Sequence, residues 1–274
     1  MLLTQWMLSA ALATAPVIGA ELNTLTPAEE SAGWQLLFDG KTMKGWRDPA
    51  RLTPAGDAWT IEDGCLKAMP HPRITEDLVV DQTFRDFELT FEWRISPGGN
   101  SGIKYGIQGF VFLENKKMKK GVPFEEVVAN EMANHLSERE KMAPGEKAQE
   151  YVISFEYQVI DNERHADAKR GPLYQSGALY SMVPATQDVT KPVGEFNQSR
   201  LVVRGDHVEH WLNGTKVVDA SLDSEAVKDG VSKRWKNVPL VYDLLVNRPR
   251  KDCPFSLQNH GDAAWFRNLK IRRL

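Results

Sequence analysis

The sequence predicts an all-β fold, an antiparallel sandwich or barrel, on three observations. Phe87 to Ile95 alternates strictly: Phe87, Leu89, Phe91, Trp93 and Ile95 are apolar, and Glu88, Thr90, Glu92 and Arg94 lie between them. Asn213-Gly214 separates two apolar runs, a strong short-range hairpin signal. No strand–helix–strand alternation of the kind that builds parallel sheets is present.

The elements follow in order. Gly33 to Asp39 is an apolar run ending in the turn Asp39-Gly40. The alternation of Phe87–Ile95 predicts a strand with one core face and one polar face. It stops at Pro97-Gly98-Gly99-Asn100, a cluster of turn formers. Ser154 to Asp161 reads as a second strand, with Phe155, Tyr157 and Val159 opposite Glu156 and Gln158. Arg200 to Ala220 contains three short runs broken at Gly205-Asp206 and Asn213-Gly214. Phe255–Gln258 and Trp265–Ile271 close the chain as strands. One stretch departs from the pattern. Phe124, Val127, Val128, Met132 and Leu136 recur at helical spacing among Glu125, Glu126, Glu131 and Glu138, which predicts a helical insertion over Val122–Glu150 ending at Pro144-Gly145.

Of 274 residues, the first 20 contain no charged side chain, are mostly apolar from Leu2 to Leu12, and supply small residues at Ala13, Ala15 and Ala20. They read as a signal peptide, which implies export to the periplasm or outside the cell. The remainder, 21–274, is within the size of one β-sandwich domain. No later segment is long and apolar enough to span a membrane. The net charge of -3 and the lack of a basic stripe argue against nucleic acid as a partner. Cys65 and Cys253 lack thiolate zinc spacing. They are either one disulfide or two separate thiols. The oligomeric state is not legible.

The polar positions carry the chemistry. Glu92 and Arg94, Glu156 and Gln158, and Ser256, Gln258 and His260 all oppose apolar faces. If their strands share a sheet, one polar face collects carboxylates, a guanidinium, amides and an imidazole. Such a set suits a polyhydroxylated ligand, whose hydroxyls both donate and accept. A solvated face with cross-strand ion pairs is the plainer reading. Asp161-Asn162-Glu163-Arg164-His165-Ala166-Asp167 follows the second strand. Asp161, His165 and Asp167 there suit an acid/base set or a divalent metal, or simply a charged turn. No Gly-rich phosphate loop, His-Glu-x-x-His helix or Gly-x-Ser-x-Gly elbow is present, so no nucleotide cofactor is expected.

Five segments, in order, resemble one family. They are Gly33–Lys41 with Gly45-Trp46; Phe87–Arg94 with Gly99-Asn100-Ser101-Gly102-Ile103; Glu156-Tyr157-Gln158 with Asp161-Asn162 and Arg164–Ala168; Gly177–Tyr180 with Lys191–Asn197; and Leu257–Gly261 with Phe266–Leu269. Together they resemble the 3-keto-disaccharide hydrolase family. Phe196 and Ser181 depart from its pattern, where Trp and Asp are more usual. The resemblance implies a concanavalin A-like jelly-roll sandwich with the site on a concave sheet face. It also implies a carbohydrate substrate, cleaved after oxidation at sugar C3. Removal of the acidified C2 proton and elimination at C1 would be followed by hydration. On this reading Glu156, His260, Asp161 and His165 are the acid/base candidates, with Glu156 or His260 as the base. Glu92, Arg94, Asn100, Lys104, Gln158, Tyr180, Asn197 and Gln258 are the substrate-binding candidates, and His165 and Asp167 the metal candidates. A non-catalytic carbohydrate-binding module and a two-carboxylate glycosidase are the alternatives. The glycosidase would set Glu92 and Glu156 across one cleft.

Overall fold

The computed structural model describes residues 21–49, 57–118, 121–132, 142–236 and 238–274. The expected signal peptide, Leu136 and Glu138 lie outside these. Among the described residues the strands are, in chain order, β1 (Gln35–Leu36), β2 (Trp46–Arg47), β3 (Trp59–Glu62), β4 (Cys65–Ala68), β5 (Ile74–Glu76), β6 (Leu78–Val80), β7 (Phe87–Ile95), β8 (Asn100–Glu114), β9 (Ala148–Ile160), β10 (Asn197–Arg204), β11 (His207–Leu212), β12 (Thr215–Ser221), β13 (Ser256–Leu257) and β14 (Ala264–Arg273). The helices are α1 (Pro27–Ser31), α2 (Phe124–Glu131), α3 (Glu225–Arg234) and α4 (Pro239–Tyr242).

These strands form a concanavalin A-like sandwich of two sheets. The larger runs β12-β11-β10-β7-β14-β4-β3, with β1 also paired to β14; the smaller runs β2-β6-β13-β8-β9-β5. All pairings are antiparallel except β5 with β9. The core lies between them. Phe91 of the larger sheet meets Tyr157 of the smaller edge to face at 5.6 Å. Polar pins cross the same gap. The Tyr157 hydroxyl reaches across to Ser199 Oγ of the larger sheet at 2.9 Å, and Trp93 Nε1, within that sheet, donates to the same oxygen at 2.8 Å. His210 is fully buried between Tyr105 Oη and the Gly177 carbonyl, each 2.9 Å away. Burial pushes its pKa down to about 4, so it sits there neutral.

The alternation in Phe87–Ile95 is realised as β7, with its odd-numbered apolar residues buried. Asn213 and Gly214 have φ of 48° and 82°, the two left-handed residues that a type I′ hairpin turn requires. Three expectations change. β9 begins at Ala148, six residues before the predicted strand, because Val152 and Tyr151 continue its pairing with β8. Among the described residues of the insertion, helix runs over Phe124–Glu131 and the last three residues are strand; residues 133–141 lie outside the description. β8 runs straight out of the predicted Gly99-Asn100 turn; its glycines and a bulge between Tyr105 and Gly109 hide its alternation. Cys65 and Cys253 are both free thiols. Among the described residues no helix is long and apolar enough to cross a membrane.

The chain's two ends are tied by a reciprocal pair. Asn23 N–H donates to Asn268 Oδ1 at 2.7 Å, and Asn268 N–H donates to Asn23 Oδ1 at 2.9 Å. Asn268 stands at φ 51° within the bulge of β14. Asn268→Ala is expected to lose about 2–3 kcal/mol of stability, from the lost bond and from left-handed strain. Asn268→Gly, free of the strain, should lose only about 1 kcal/mol. Urea unfolding of both variants checks this; equal losses would mean that the backbone conformation carries no cost.

Candidate active site

The face of β9 turned away from the larger sheet carries Glu156 and Gln158, and β8 places Lys104 directly opposite Glu156 and Gly102 opposite Gln158. A bare sheet face would leave these groups in water. Here α2, α3 and the turns of residues 161–181 cover it and leave a cleft of about 530 Å³. Glu156, Asn100, Gln258 and Tyr151 line it from the sheet, His165, Asp167 and Arg170 from the turns, and His260 from the loop after β13. Glu125 of α2, Tyr180 and Arg234 of α3 complete the wall.

Glu156 is strongly altered by this setting. Burial pushes its pKa up to about 7, against the opposing pull of Lys104 and Arg234. It takes no side-chain hydrogen bond among the described residues. Lys104 lies beneath it, also buried, with Nζ 3.3 Å from Asp77 Oδ2. Burial alone would lower this lysine, but Asp77 and Glu156 outweigh it and hold the ammonium charged. Gly102 leaves the space that the Glu156 carboxylate occupies. A Cβ there would stand 2.8 Å from Oε1 and 3.0 Å from Cγ.

The two histidines meet at the other wall, with ring centroids 6.0 Å apart in an edge-to-face arrangement. His165 Nδ1 accepts the Asp167 N–H at 3.0 Å. In the neutral ring that leaves the proton on Nε2, as a donor. His260 opens into the cleft with 43% of its side chain exposed. The protein packed around it and the nearby His165 hold its pKa below the ordinary imidazole value, although Asp262 pulls the other way. It is neutral at pH 7. Tyr180 Oη donates to Asp167 Oδ2 at 2.5 Å, and Arg170 pairs with the other oxygen of the same carboxylate at 2.5 Å.

Lone pairs decide whether the cleft's candidate ligands suit a metal. His165, His260 and Asp262 bring one donor atom each within 4.8 Å of one another. Asp167, the sequence's second metal candidate, is instead held by Tyr180 and Arg170. The His165 ring fits an ion poorly. Nδ1 is occupied by the Asp167 N–H, and Nε2 carries the proton while that bond stands. Binding an ion through either nitrogen requires breaking that bond.

The structure brings Glu156, His165, His260, Asn100, Tyr180 and Gln258 into one cleft, with Lys104 beneath. Gln158 is fully buried next to them and reaches the Tyr174 carbonyl at 3.5 Å. The expectation that Phe87–Ile95 shares this face is corrected, because β7 belongs to the larger sheet. Glu92 faces outward there, paired with Arg267 at 2.8 Å. Arg94 is stacked against Trp265 and Phe196, 4.3 and 5.0 Å from the ring centres. Asn197, on the same sheet, accepts from Lys191 N–H and Asn213 Nδ2 and so fixes a loop. Asp161 does not line the cleft. It accepts from the N–H groups of Gly98, Glu163 and Arg164 and from the Arg164 guanidinium. Burial would raise its pKa, but these bonds bring it below the usual carboxylate value, as for a turn cap.

Sequence reasoning missed Tyr151, Arg170 and Arg234. The guanidinium of Arg234 stacks 4.6 Å from the Tyr180 ring centre and donates to Tyr151 Oη at 3.1 Å. Ser224, whose hydroxyl caps α3 by accepting the Val227 N–H, was a readable helix signal. Nothing in the sequence said that the end of this helix reaches the cleft.

Residues 33–272 match the family described as the 3-keto-alpha-glucoside-1,2-lyase-like domain. The chain belongs to this family. Within its reach, a 3-keto-disaccharide hydrolase from Bacteroides thetaiotaomicron is 32% identical over 271 residues, covering 93% of this chain and 83% of that protein. Among solved structures, a candidate glycosyl hydrolase from Parabacteroides distasonis superposes with a TM-score of 0.66 at 25% identity, covering 93% of this chain and 100% of the other. A second from the same species gives a TM-score of 0.55 at 22% identity, over 88% of this chain and 99% of the other, and shares the fold. The family's matched region spans every cleft residue named above.

Gly102→Ala tests whether the cleft depends on the position of Glu156. The added methyl must displace the Glu156 carboxylate and also crowds the Tyr157 carbonyl oxygen at 3.1 Å, so a thermal melt first establishes that the variant is folded. The titration of Glu156, followed by NMR of a side-chain-labelled protein, should move away from pH 7. An unmoved titration would show that the carboxylate has room to spare.

Proposed function

We propose that the protein cleaves 3-keto-glycosides, with Glu156 as the base that removes the proton at sugar C2. The observation that carries this reading is a buried carboxylate, raised to about pH 7, inside a cleft lined by donors. A general base is most effective when its pKa lies near the working pH. Membership of the family and the Bacteroides relative support a carbohydrate substrate and glycoside cleavage.

The chemistry follows from the ketone. A C3 carbonyl acidifies the C2 proton, because the electrons left behind delocalise onto the C3 oxygen as an enolate. Glu156 takes that proton. The enolate then re-forms the ketone, creates the C1–C2 double bond and expels the C1 oxygen, which leaves as an alcohol after gaining a proton. His165 Nε2–H and the Arg234 guanidinium are donors suited to the enolate oxygen. His260, neutral at pH 7, is suited to accept a proton from the water that adds at C1 of the unsaturated product. Lys104 keeps Glu156 from remaining protonated above pH 7, and Asp167 holds His165 in its donor tautomer. A two-carboxylate glycosidase loses its discriminating pair, since Glu92 lies on the other sheet.

The direct test is product analysis with a 3-keto-glucoside and, separately, the unoxidised glucoside, with and without chelator. The expected outcome is cleavage of the keto substrate alone, abolished in Glu156→Gln and strongly reduced in His260→Ala. Cleavage of the unoxidised glucoside would overturn the enolate chemistry, and loss of activity with chelator would overturn the metal-free assignment of His165. Because the base must be ionised, kcat/KM should rise with pH through about 7 and level off above it. A profile flat from pH 5 to 9 would remove Glu156 from that role.

The same shift sets stability. The folded pKa of Glu156 lies above its unfolded value, so folding takes up a proton between about pH 4.5 and 7. The stability associated with the neutral form is complete below pH 4.5 and is lost as pH rises through about 7. Glu156→Gln should therefore stabilise the protein at pH 8 by at most about 3 kcal/mol and leave it unchanged at pH 4. Denaturant unfolding at the two pH values reads this directly.

A further inference from the structure

Beyond Arg234 lies a second cavity of about 390 Å³, adjacent to the cleft, and the two share Glu125, Arg170, Tyr180 and Arg234 as lining. Its remaining wall includes Tyr174, Ser181, Lys233 and Lys236. Among the described residues four cations therefore surround it, against one lining carboxylate, Glu125, whose oxygen is 4.0 Å from Arg234 Nε. The cations differ in how far they are already engaged. Arg170 is committed to Asp167 and Tyr174 Oη. Lys233 pairs with Asp229 at 2.5 Å across a well-exposed surface, where such a pair is worth little. Lys236 is exposed and makes no ion pair among the described residues.

The shape of the cavity is set by tight packing. α3 lies against the turn after Tyr180 so closely that a Cβ on Gly230 would stand 2.8 Å from Met182 Cα. Ser181 in that turn is held at φ 62°, with a buried hydroxyl that has no hydrogen-bond partner. Tyr174 and Tyr180 stand edge to face at 5.5 Å, each with a guanidinium over its ring. Aromatic faces with cationic edges suit a ring that bears an acid.

We propose that this second cavity is the leaving-group subsite, and that it selects glycosides whose second unit carries an anionic group such as a carboxylate or sulfate. The proposal rests on the functional reading only for where the oxidised sugar lies, beside Glu156 and His260. The second unit of a disaccharide then extends past Arg234. There Lys236 meets its charge, with Lys233 adding long-range attraction.

The test uses two 3-keto-glucosyl disaccharides, one with glucuronate and one with glucose as the second ring. Binding is measured by calorimetry and cleavage by product release, on the wild type and on the double variant Lys233→Glu/Lys236→Glu. Both lysines are exposed, so the variant is expected to fold, and a matching thermal melt confirms it. The wild type should favour the glucuronate compound by about tenfold in Kd and in kcat/KM at low salt, with the gap closing as salt rises. The double variant should lose that gap and handle the glucose compound within about twofold of wild type. Equal handling of the two compounds by the wild type, or an equal loss for both in the variant, would overturn the subsite. Charge-selective binding without cleavage of either compound would leave the subsite standing and refute the lyase reading. Cleavage without charge selectivity would do the reverse.

Discussion

Two charged side chains, Glu156 and Lys104, are buried at directly opposed positions on neighbouring strands of the smaller sheet. Burying either alone would cost several kcal/mol. Together, with Asp77 as a third partner, they remain inside at the expense of a carboxylate that is reluctant to ionise. Much of the surrounding structure serves this arrangement. The tyrosine pins between the sheets fix β9 from its inner side, and Gly102 clears room for the carboxylate. α2, α3 and the turns of residues 161–181 keep water away from the outer side.

The cover also decides the chemistry. An antiparallel sheet face open to solvent would leave Glu156 with an ordinary carboxylate pKa and Arg234 as one more surface charge. Desolvation brings the first to a pKa near neutrality, as the proposed base requires. It makes the second a donor whose charge is felt across the cleft. The same elements also wall the second cavity beside the cleft. On the proposed reading, reactivity at one sugar and recognition of its neighbour come from one packing event. The cost falls on stability above neutral pH, as is common where function requires an unfavourable burial.

The loop of residues 161–167 shows how closely structural and functional roles interleave. Asp161 and His165 are four residues apart and chemically equal as acid/base candidates. Asp161 spends all its acceptor capacity on capping the turn. That cap, with Asp167 N–H on Nδ1, is what presents His165 Nε2–H to the cleft. Asp167 in turn is split between Tyr180 and Arg170.

Local pattern alone determined a good deal. The period of two in Phe87–Ile95 and the Asn213-Gly214 turn follow from steric rules within a few residues. So does the helical spacing at Phe124–Val128. The polar positions of β9 and of the loop after β13 were correctly separated from the core by the same alternation. What period cannot encode is which strands pair. Glu92 and Glu156 have equivalent patterns, yet one lies outside the larger sheet in an ion pair and the other beneath the cover of the smaller. That difference is set by contacts among residues far apart in sequence, chiefly β8 with β9 and β7 with β10 and β14. Arg234 enters the cleft through the packing of Gly230 on Met182, again a long-range contact. The sequence by itself determined which residues could act. The tertiary structure decided which of them are desolvated together, and desolvation is what makes them reactive.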